Sequence, residues 1–178
     1  LFMAWLWIAG GIWFYFKREY RQNDLPEPSE EGCSIIIPCF NEEEQAHATI
    51  RYAMQTQYPL FEVIAVNDGS SDKTAEILDE LAAQYPKLRV VHLAENQGKA
   101  YALRAGTMVS QHEYLVCIDG DALLHPHAVF WMMHHLTSFP RVGAVTGNPR
   151  IINRSSILGK LQVGEFSSII GMIKRAQR

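Results

Sequence analysis

Cysteine is scarce in this sequence: three in 178 residues, at positions 33, 39 and 117. Three thiols cannot all pair with one another, and none stands in a Cys-x-x-Cys or Cys/His spacing. This argues against a disulfide framework or a structural zinc site. Each cysteine lies in or beside an apolar run, so reduced, buried thiols facing a cytoplasm are expected. Positive charge is short as well. Sixteen Lys and Arg stand against nineteen Asp and Glu, a net charge of −3, and no basic stripe forms. A nucleic-acid partner is therefore not expected. The histidines at 125, 127, 134 and 135 have no Cys or acidic partner at metal-ligand spacing and read as surface residues. What is present is a globular composition, 48% hydrophobic and 20% charged, enough for one core of ordinary size.

The first sixteen residues, Leu1 to Phe16, carry no charge and include three tryptophans. As a helix they extend roughly 24 Å, short of the ~30 Å hydrocarbon core, so residues 1–16 are expected to be the C-terminal part of a transmembrane helix. Trp13, Tyr15 and Tyr20 suit an interfacial aromatic belt. Lys17, Arg18 and Arg21 follow, so this flank and the rest of the chain are expected on the cytoplasmic side of a membrane. Residues 17–31, with Pro26, Pro28 and several acids, read as a juxtamembrane linker.

From Cys33 the pattern alternates strand and helix. Ser34–Pro38, Phe61–Val66, Leu88–Leu93 and Tyr114–Ile118 are short apolar runs, as expected of strands covered on both faces. Helical stripes lie between them: Ala46, Ile50, Ala53 and Met54, then Ile77, Leu78, Leu81 and Tyr85. A run of small residues spans 99–110, and Val129, Met132, Met133 and Leu136 follow Pro126. Asn41, with Glu44 three residues on, is expected to cap the first of these helices, and Asp72 the second. Val142–Thr146 is expected to be a fifth strand. Such repeats with short connections give an α/β fold with a doubly wound, mainly parallel sheet.

Four successive strand ends carry polar groups: Asn41-Glu42, Asp68, Gln97-Gly98-Lys99, and Asp119-Gly120-Asp121. In open α/β sheets ligands bind past the carboxyl ends of the strands, so all four fall where a site is expected. Two hard oxygen donors, Asp119 and Asp121, suit Mg²⁺ or Mn²⁺ shared with substrate phosphates. Lys99 suits a phosphate, and Asp68 a base or ribose donor. Taken singly, each also has a plain turn or helix-start reading.

Together, Ser34-Ile-Ile-Ile-Pro-Cys-Phe-Asn-Glu-Glu, Val66-Asn-Asp-Gly-Ser-Ser-Asp-Lys-Thr, Asn96-Gln-Gly-Lys-Ala and Ile118-Asp-Gly-Asp-Ala resemble the family 2 processive glycosyltransferases of the GT-A fold. Val142–Arg150 and Val163–Gly171 are similar to its bacterial branch that builds exopolysaccharide of the poly-β-1,6-GlcNAc type. The resemblance implies a nucleotide-sugar-binding half over residues 32–150, with an acceptor-side or interfacial helical region beginning at 151–178. It implies that Pro38, Phe40, Glu42, Asp68, Lys99 and Asp119 bind a UDP-sugar donor, UDP-N-acetylglucosamine above all, and that Asp121 with Asp119 holds Mg²⁺ or Mn²⁺. A growing polysaccharide acceptor, the membrane and a small membrane subunit are the partners implied. The family's general base and its Gln-x-x-Arg-Trp acceptor motif have no match in these residues, so the base is expected beyond Arg178. Glu165 is a stand-in candidate. The 178 residues alone are expected to bind donor without turnover. The alternatives at this point are a non-catalytic nucleotide-binding module and another family 2 transferase, such as a chitin, hyaluronan or cellulose synthase or a polyprenyl-phosphate sugar transferase.

Overall fold

The structure is a computed structural model, and it describes residues 2–14, 16–17 and 25–147. The chain divides into two compact units, one of Pro26–Val145 and one of Leu1–Leu25 with Thr146–Arg178.

The larger unit runs β1 (Cys33–Cys39), α2 (Ala46–Met54), β2 (Phe61–Asp68), α3 (Thr74–Gln84), β3 (Leu88–Leu93), α4 (Lys99–Val109), β4 (Tyr114–Cys117) and α5 (Ala128–Ser138). All the strand pairs are parallel, in the order β3-β2-β1-β4. Every β2 residue is buried, as is all of β1 except half-buried Pro38. The two faces divide by residue parity, as a pleated strand requires. Ile35, Ile37, Val63 and Ala65 pack with Ile50 of α2, Leu78 and Leu81 of α3, and Val129 and Met133 of α5. Ile36, Ile64 and Val66 pack with Ala102 of α4. Helices thus cover both faces, the α/β arrangement expected. The helical stripes also match: the inward residues of α2, α3 and α5 are those that the spacing predicts, with Thr49 and Thr74 added.

Four local expectations are corrected. Tyr114–Ile118 is not a strand covered on both sides: β4 pairs only with β1 among the described residues, and Cys117 is exposed rather than buried. Its apolar run reflects one packed face (Val116) and one half-covered face (Leu115). Val142–Thr146 forms no strand. Asn41 does not cap α2; it adopts φ +54°, and its side-chain oxygen accepts from the backbone N–H of Ser71 at 2.9 Å. Asp72 stands one residue before the N-cap position of α3, which Lys73 occupies, and its carboxylate accepts from Thr74 N at 3.0 Å.

The smaller unit contributes α1 (Phe2–Phe14), a 13-residue helix that is apolar all round, with Trp5, Leu6, Ile8, Ile12 and Trp13 exposed. The Lys17 ammonium lies over the Trp13 ring, 4.4 Å from its centroid. No described helix is long and apolar enough to cross a membrane. Glu165, Val163–Gly171 and all of 151–178 lie outside the described residues.

Candidate functional site

Chain order and space order part company at β1. From β1 the chain steps outward through β2 and β3, then returns to place β4 on the other side of β1. Loops from neighbouring strands therefore diverge there, leaving a crevice at their carboxyl ends. Pro38 sharpens the split. Ile36 turns its carbonyl toward β4, accepting from Ile118 N at 3.2 Å. By the two-residue period, Pro38 faces the same way, beyond the last β1–β4 pair at Ile36–Cys117. Its missing N–H costs no ladder bond at that point, so proline is tolerated inside a central strand.

A cleft of about 400 Å³ opens there, a size suited to a small ligand. Pro38, Phe40, Glu42, Asp68, Lys99, Asp119 and Asp121 all line it, so the seven residues singled out from the sequence converge on one place. Cys39, Asn96, Gly98 and Gly120 complete the lining. A larger, more open hollow of about 590 Å³ lies at the start of β4 and the end of α5, against Tyr114, Leu136 and Phe139. It gathers no comparable set of opposed charges and sits at the other end of β4 from the carboxylates. Chemistry rather than volume selects the first.

Asp68 ends β2 and is only 2% exposed. Both its oxygens are engaged, Oδ1 by Gln97 N at 3.0 Å and Oδ2 by Gly98 N at 2.9 Å. One buried carboxylate thus holds the turn into α4 and places Lys99 at the helix start. Gly98 caps that helix at φ +89°, a backbone conformation that side chains resist.

Lys99 Nζ pairs with Asp119 Oδ1, both side chains being more than half exposed. Asp119-Gly120-Asp121 is a turn closed by Ala122 N donating to the Asp119 carbonyl at 3.0 Å. Gly120 is required for a steric reason: a Cβ would stand 2.8 Å from the Pro38 carbonyl oxygen and 3.3 Å from Glu42 Cγ. The turn is also pinned from α2, where the buried Thr49 hydroxyl donates to the Gly120 carbonyl at 2.7 Å.

The two loops flanking Glu42 brace each other. Glu43 N donates to Asp72 Oδ2 at 3.1 Å, Lys73 N donates to Glu43 Oε2 at 3.1 Å, and Glu42 N donates to the Thr74 hydroxyl at 2.8 Å. Burial, then the Asp121 charge, then the Asp72 charge push the Glu42 carboxyl above the ordinary glutamate range. Burial, with a smaller push from Glu42, takes the Cys39 thiol up to about 12, so it is not a nucleophile at neutral pH.

This donor set fits a divalent cation. Among the described residues no three or more His, Cys, Asp or Glu side chains form a closed metal cage. Mg²⁺ and Mn²⁺ commonly need only one or two carboxylates, with the remaining positions filled by water and substrate phosphates. Burial first, and then the charge of Asp121, disfavour the ionised Glu42 carboxyl, and a nearby cation would offset the second of these. The polar strand ends were legible in the sequence. Thr49, on the inner face of a helix, gave no signal there.

A parallel sheet with helices on both faces and a charged crevice at its switch point is the architecture of the GT-A glycosyltransferases. Residues 34–174 match the profile of glycosyl transferase family 2, and the chain belongs to that family. Over 99% of its length it is 42% identical to the poly-β-1,6-N-acetyl-D-glucosamine synthase of Staphylococcus epidermidis and 41% identical to that of Staphylococcus aureus strain N315. It spans 44% of each of those relatives. The fold recurs in the mannosyltransferase PcManGT from Pyrobaculum calidifontis in complex with GDP-Man and Mn²⁺, with TM-score 0.61 and 22% identity over 80% of this chain and 45% of that one. It recurs also in S. aureus TarS 1-349 in complex with UDP-GlcNAc, with TM-score 0.51 and 23% identity over 55% of this chain and 29% of that one.

Proposed function

We propose that this chain is the donor-binding part of a membrane-anchored, inverting glycosyltransferase that uses UDP-N-acetylglucosamine to extend a poly-β-1,6-linked exopolysaccharide. The observation that carries this reading is the convergence of Pro38, Phe40, Glu42, Asp68, Lys99, Asp119 and Asp121 on one cleft, in a chain so similar to the synthases named above.

In this reading Phe40, 44% exposed at the rim, offers a ring face to the uracil. Asp68 shapes the base pocket by holding the Gln97–Gly98 turn, and each of its oxygens keeps a lone pair for a base N–H. Lys99 meets the diphosphate, exchanging the Asp119 carboxylate for phosphate oxygens. Asp121 and Asp119 hold Mg²⁺ or Mn²⁺, a Lewis acid that neutralises charge on the departing UDP. Residues 32–150 form the donor half and 151–178 begin the acceptor side. The general base that takes the acceptor hydroxyl proton lies beyond Arg178. The uncharged α1 followed by Lys17 supports anchoring in the plasma membrane with the cleft on the cytoplasmic side, the acceptor polysaccharide and a small membrane subunit being its partners.

The test is polymer formation from radiolabelled UDP-N-acetylglucosamine by membranes of cells expressing the gene, with wild type beside Asp121→Asn and with and without EDTA. Acid-insoluble product that depends on Asp121 and on the cation is expected. Wild-type membranes that make no such product would overturn the reading.

A further inference from the structure

Behind the cleft runs a polar chain that the donor contacts do not use. Asn67, the residue before Asp68, is buried, and both ends of its amide are committed. Its Oδ1 accepts from Ser70 N at 3.1 Å, and its Nδ2 lies 3.1 Å from Nδ1 of His92 on β3. A backbone N–H can only donate, so the Asn67 oxygen must face Ser70 and its NH₂ must face the imidazole. Nδ1 of His92 therefore accepts, and the ring proton sits on Nε2, 3.0 Å from Asp79 Oδ1 on α3. At the other end, the Ser70 hydroxyl accepts from Asn41 N at 3.0 Å, next to Glu42. Between them lies Asp68 with its hold on Gln97 and Gly98.

We infer that His92 is a positioning residue for donor binding: in its neutral Nε2–H form it holds Asn67, and with it the Asn67–Ser70 turn that carries Asp68, and protonation of His92 releases that turn and weakens nucleotide-sugar binding. The inference rests on the donor-site reading above. In the imidazolium both nitrogens donate, so Nδ1–H would face the Asn67 NH₂. Turning the amide over would instead set that NH₂ against Ser70 N–H. Either way one hydrogen bond of the turn is lost, worth about two- to tenfold in an equilibrium. Asp79 on α3 is the charged group against the ring, and the β2 neighbour Asn67 is uncharged. The Asp79 side chain is 64% exposed and that of His92 40%, so their ion pair is a solvated one. The contact with Asp79 does not restore the bond to Asn67.

The experiment is titration of the membrane-embedded protein with UDP-N-acetylglucosamine, a pyrophosphate diester whose charge is constant over the range, at pH 7.5 and 5.5. His92→Asn places an uncharged acceptor near the Nδ1 position, and His92→Leu places none. Relative to His92→Asn, wild type is expected to lose about two- to tenfold in affinity on going to pH 5.5. His92→Leu should bind weakly at both pH values. Other titrating groups in the cleft, Glu42 among them, are common to wild type and His92→Asn and cancel in their ratio. An identical pH slope in those two proteins, or wild-type affinity in His92→Leu at pH 7.5, would overturn the inference while leaving the donor site standing. Absence of binding by wild type at pH 7.5 would overturn the donor reading itself, and this inference with it.

Discussion

Thr49 and Gly120 are 71 residues apart in sequence and joined by a 2.7 Å hydrogen bond, hydroxyl to carbonyl, in the buried space between α2 and the acidic turn. The contact fixes how Asp119 and Asp121 leave the end of β4. Thr49→Val preserves the shape of the side chain but strands a buried carbonyl, at a cost of about 1–3 kcal/mol. The expected outcome is a lower melting temperature together with weaker cation-dependent binding of UDP-N-acetylglucosamine, both recovered in Thr49→Ser. Equal binding by the Val and Ser variants would show that the turn holds its shape without the pin.

Gly120 and Gly98 should fail differently when changed to alanine. At Gly120 the new methyl meets backbone, the Pro38 carbonyl oxygen at 2.8 Å, so β1 and the acidic turn must separate. At Gly98 no atom lies within 4 Å of the added carbon, but φ +89° with ψ 160° is strained for any side chain, by roughly 1–3 kcal/mol. Gly120→Ala is therefore expected to reduce cation-dependent binding by more than tenfold, measured by titration with and without EDTA. Gly98→Ala is expected to act mainly on stability, lowering the melting temperature. A Gly120→Ala protein that binds as wild type would refute the steric argument.

The sheet and the polar strand ends were readable because β1, β2 and the helical stripes follow simple periods, because Asp68 and the Asp119-Gly120-Asp121 turn come directly after apolar runs, and because Lys99 opens the next helical run. Other features lay outside that kind of reading. Asn41-Glu-Glu-Glu has the residues of a capping box, but the chain uses Asn41 at positive φ to receive Ser71, a long-range partner that local spacing does not reveal. Val142–Thr146 has strand composition and no strand partner among the described residues, since composition supplies propensity and not pairing. Nothing in Asp-Gly-Asp itself shows that Gly120 is there because β1 passes too close for a Cβ. The base-side role of Asp68 also needs restating: sequence suggests a free acceptor, and the structure shows a carboxylate already spanning two backbone amides.

Glu62 supplies a pH prediction. It is 6% exposed at the start of β2 and accepts from the Ser34 hydroxyl at 2.7 Å, Gln111 N at 2.6 Å and Arg89 Nη1 at 3.1 Å. Burial alone would raise its carboxyl; the hydrogen bonds and the Arg89 charge outweigh that and hold it below the ordinary value of 4.5. A carboxyl depressed in the folded state contributes stability above its unfolded value, and that contribution is lost as pH falls through the folded one. Because Arg89 is 41% exposed and can be rehydrated, removing the charge should cost about 1–3 kcal/mol rather than the full penalty of a broken buried pair. Glu62→Gln is expected to be less stable than wild type at pH 7, with the gap closing below about pH 4 as the wild-type carboxyl protonates. Urea denaturation at several pH values is the check; a gap that stays constant into acid would mean that the charge of Glu62 contributes nothing.

The last prediction concerns the crowding of Glu42 and Asp121 when no cation is bound. Burial first, and then the charges of Asp121 and Asp72, raise the Glu42 carboxyl, so at neutral pH its ionised form is held against repulsion. A carboxyl raised in the folded state subtracts stability above its unfolded value, and that penalty lifts only as pH falls through the folded one. Glu42→Gln removes the charge while keeping a side chain of the same length beside Gly120. In EDTA at pH 7.5 the variant should melt at a higher temperature than wild type. A bound Mn²⁺ supplies the positive charge that Glu42 and Asp121 lack, so adding the cation with UDP should raise the wild-type melting temperature by more than that of the variant. Thermal unfolding of both proteins in EDTA and in Mn²⁺ with UDP decides the matter. If Glu42→Gln melts below wild type in EDTA, the carboxylate is holding the cleft together through its own hydrogen bonds, and repulsion from Asp121 is not what sets the local energetics.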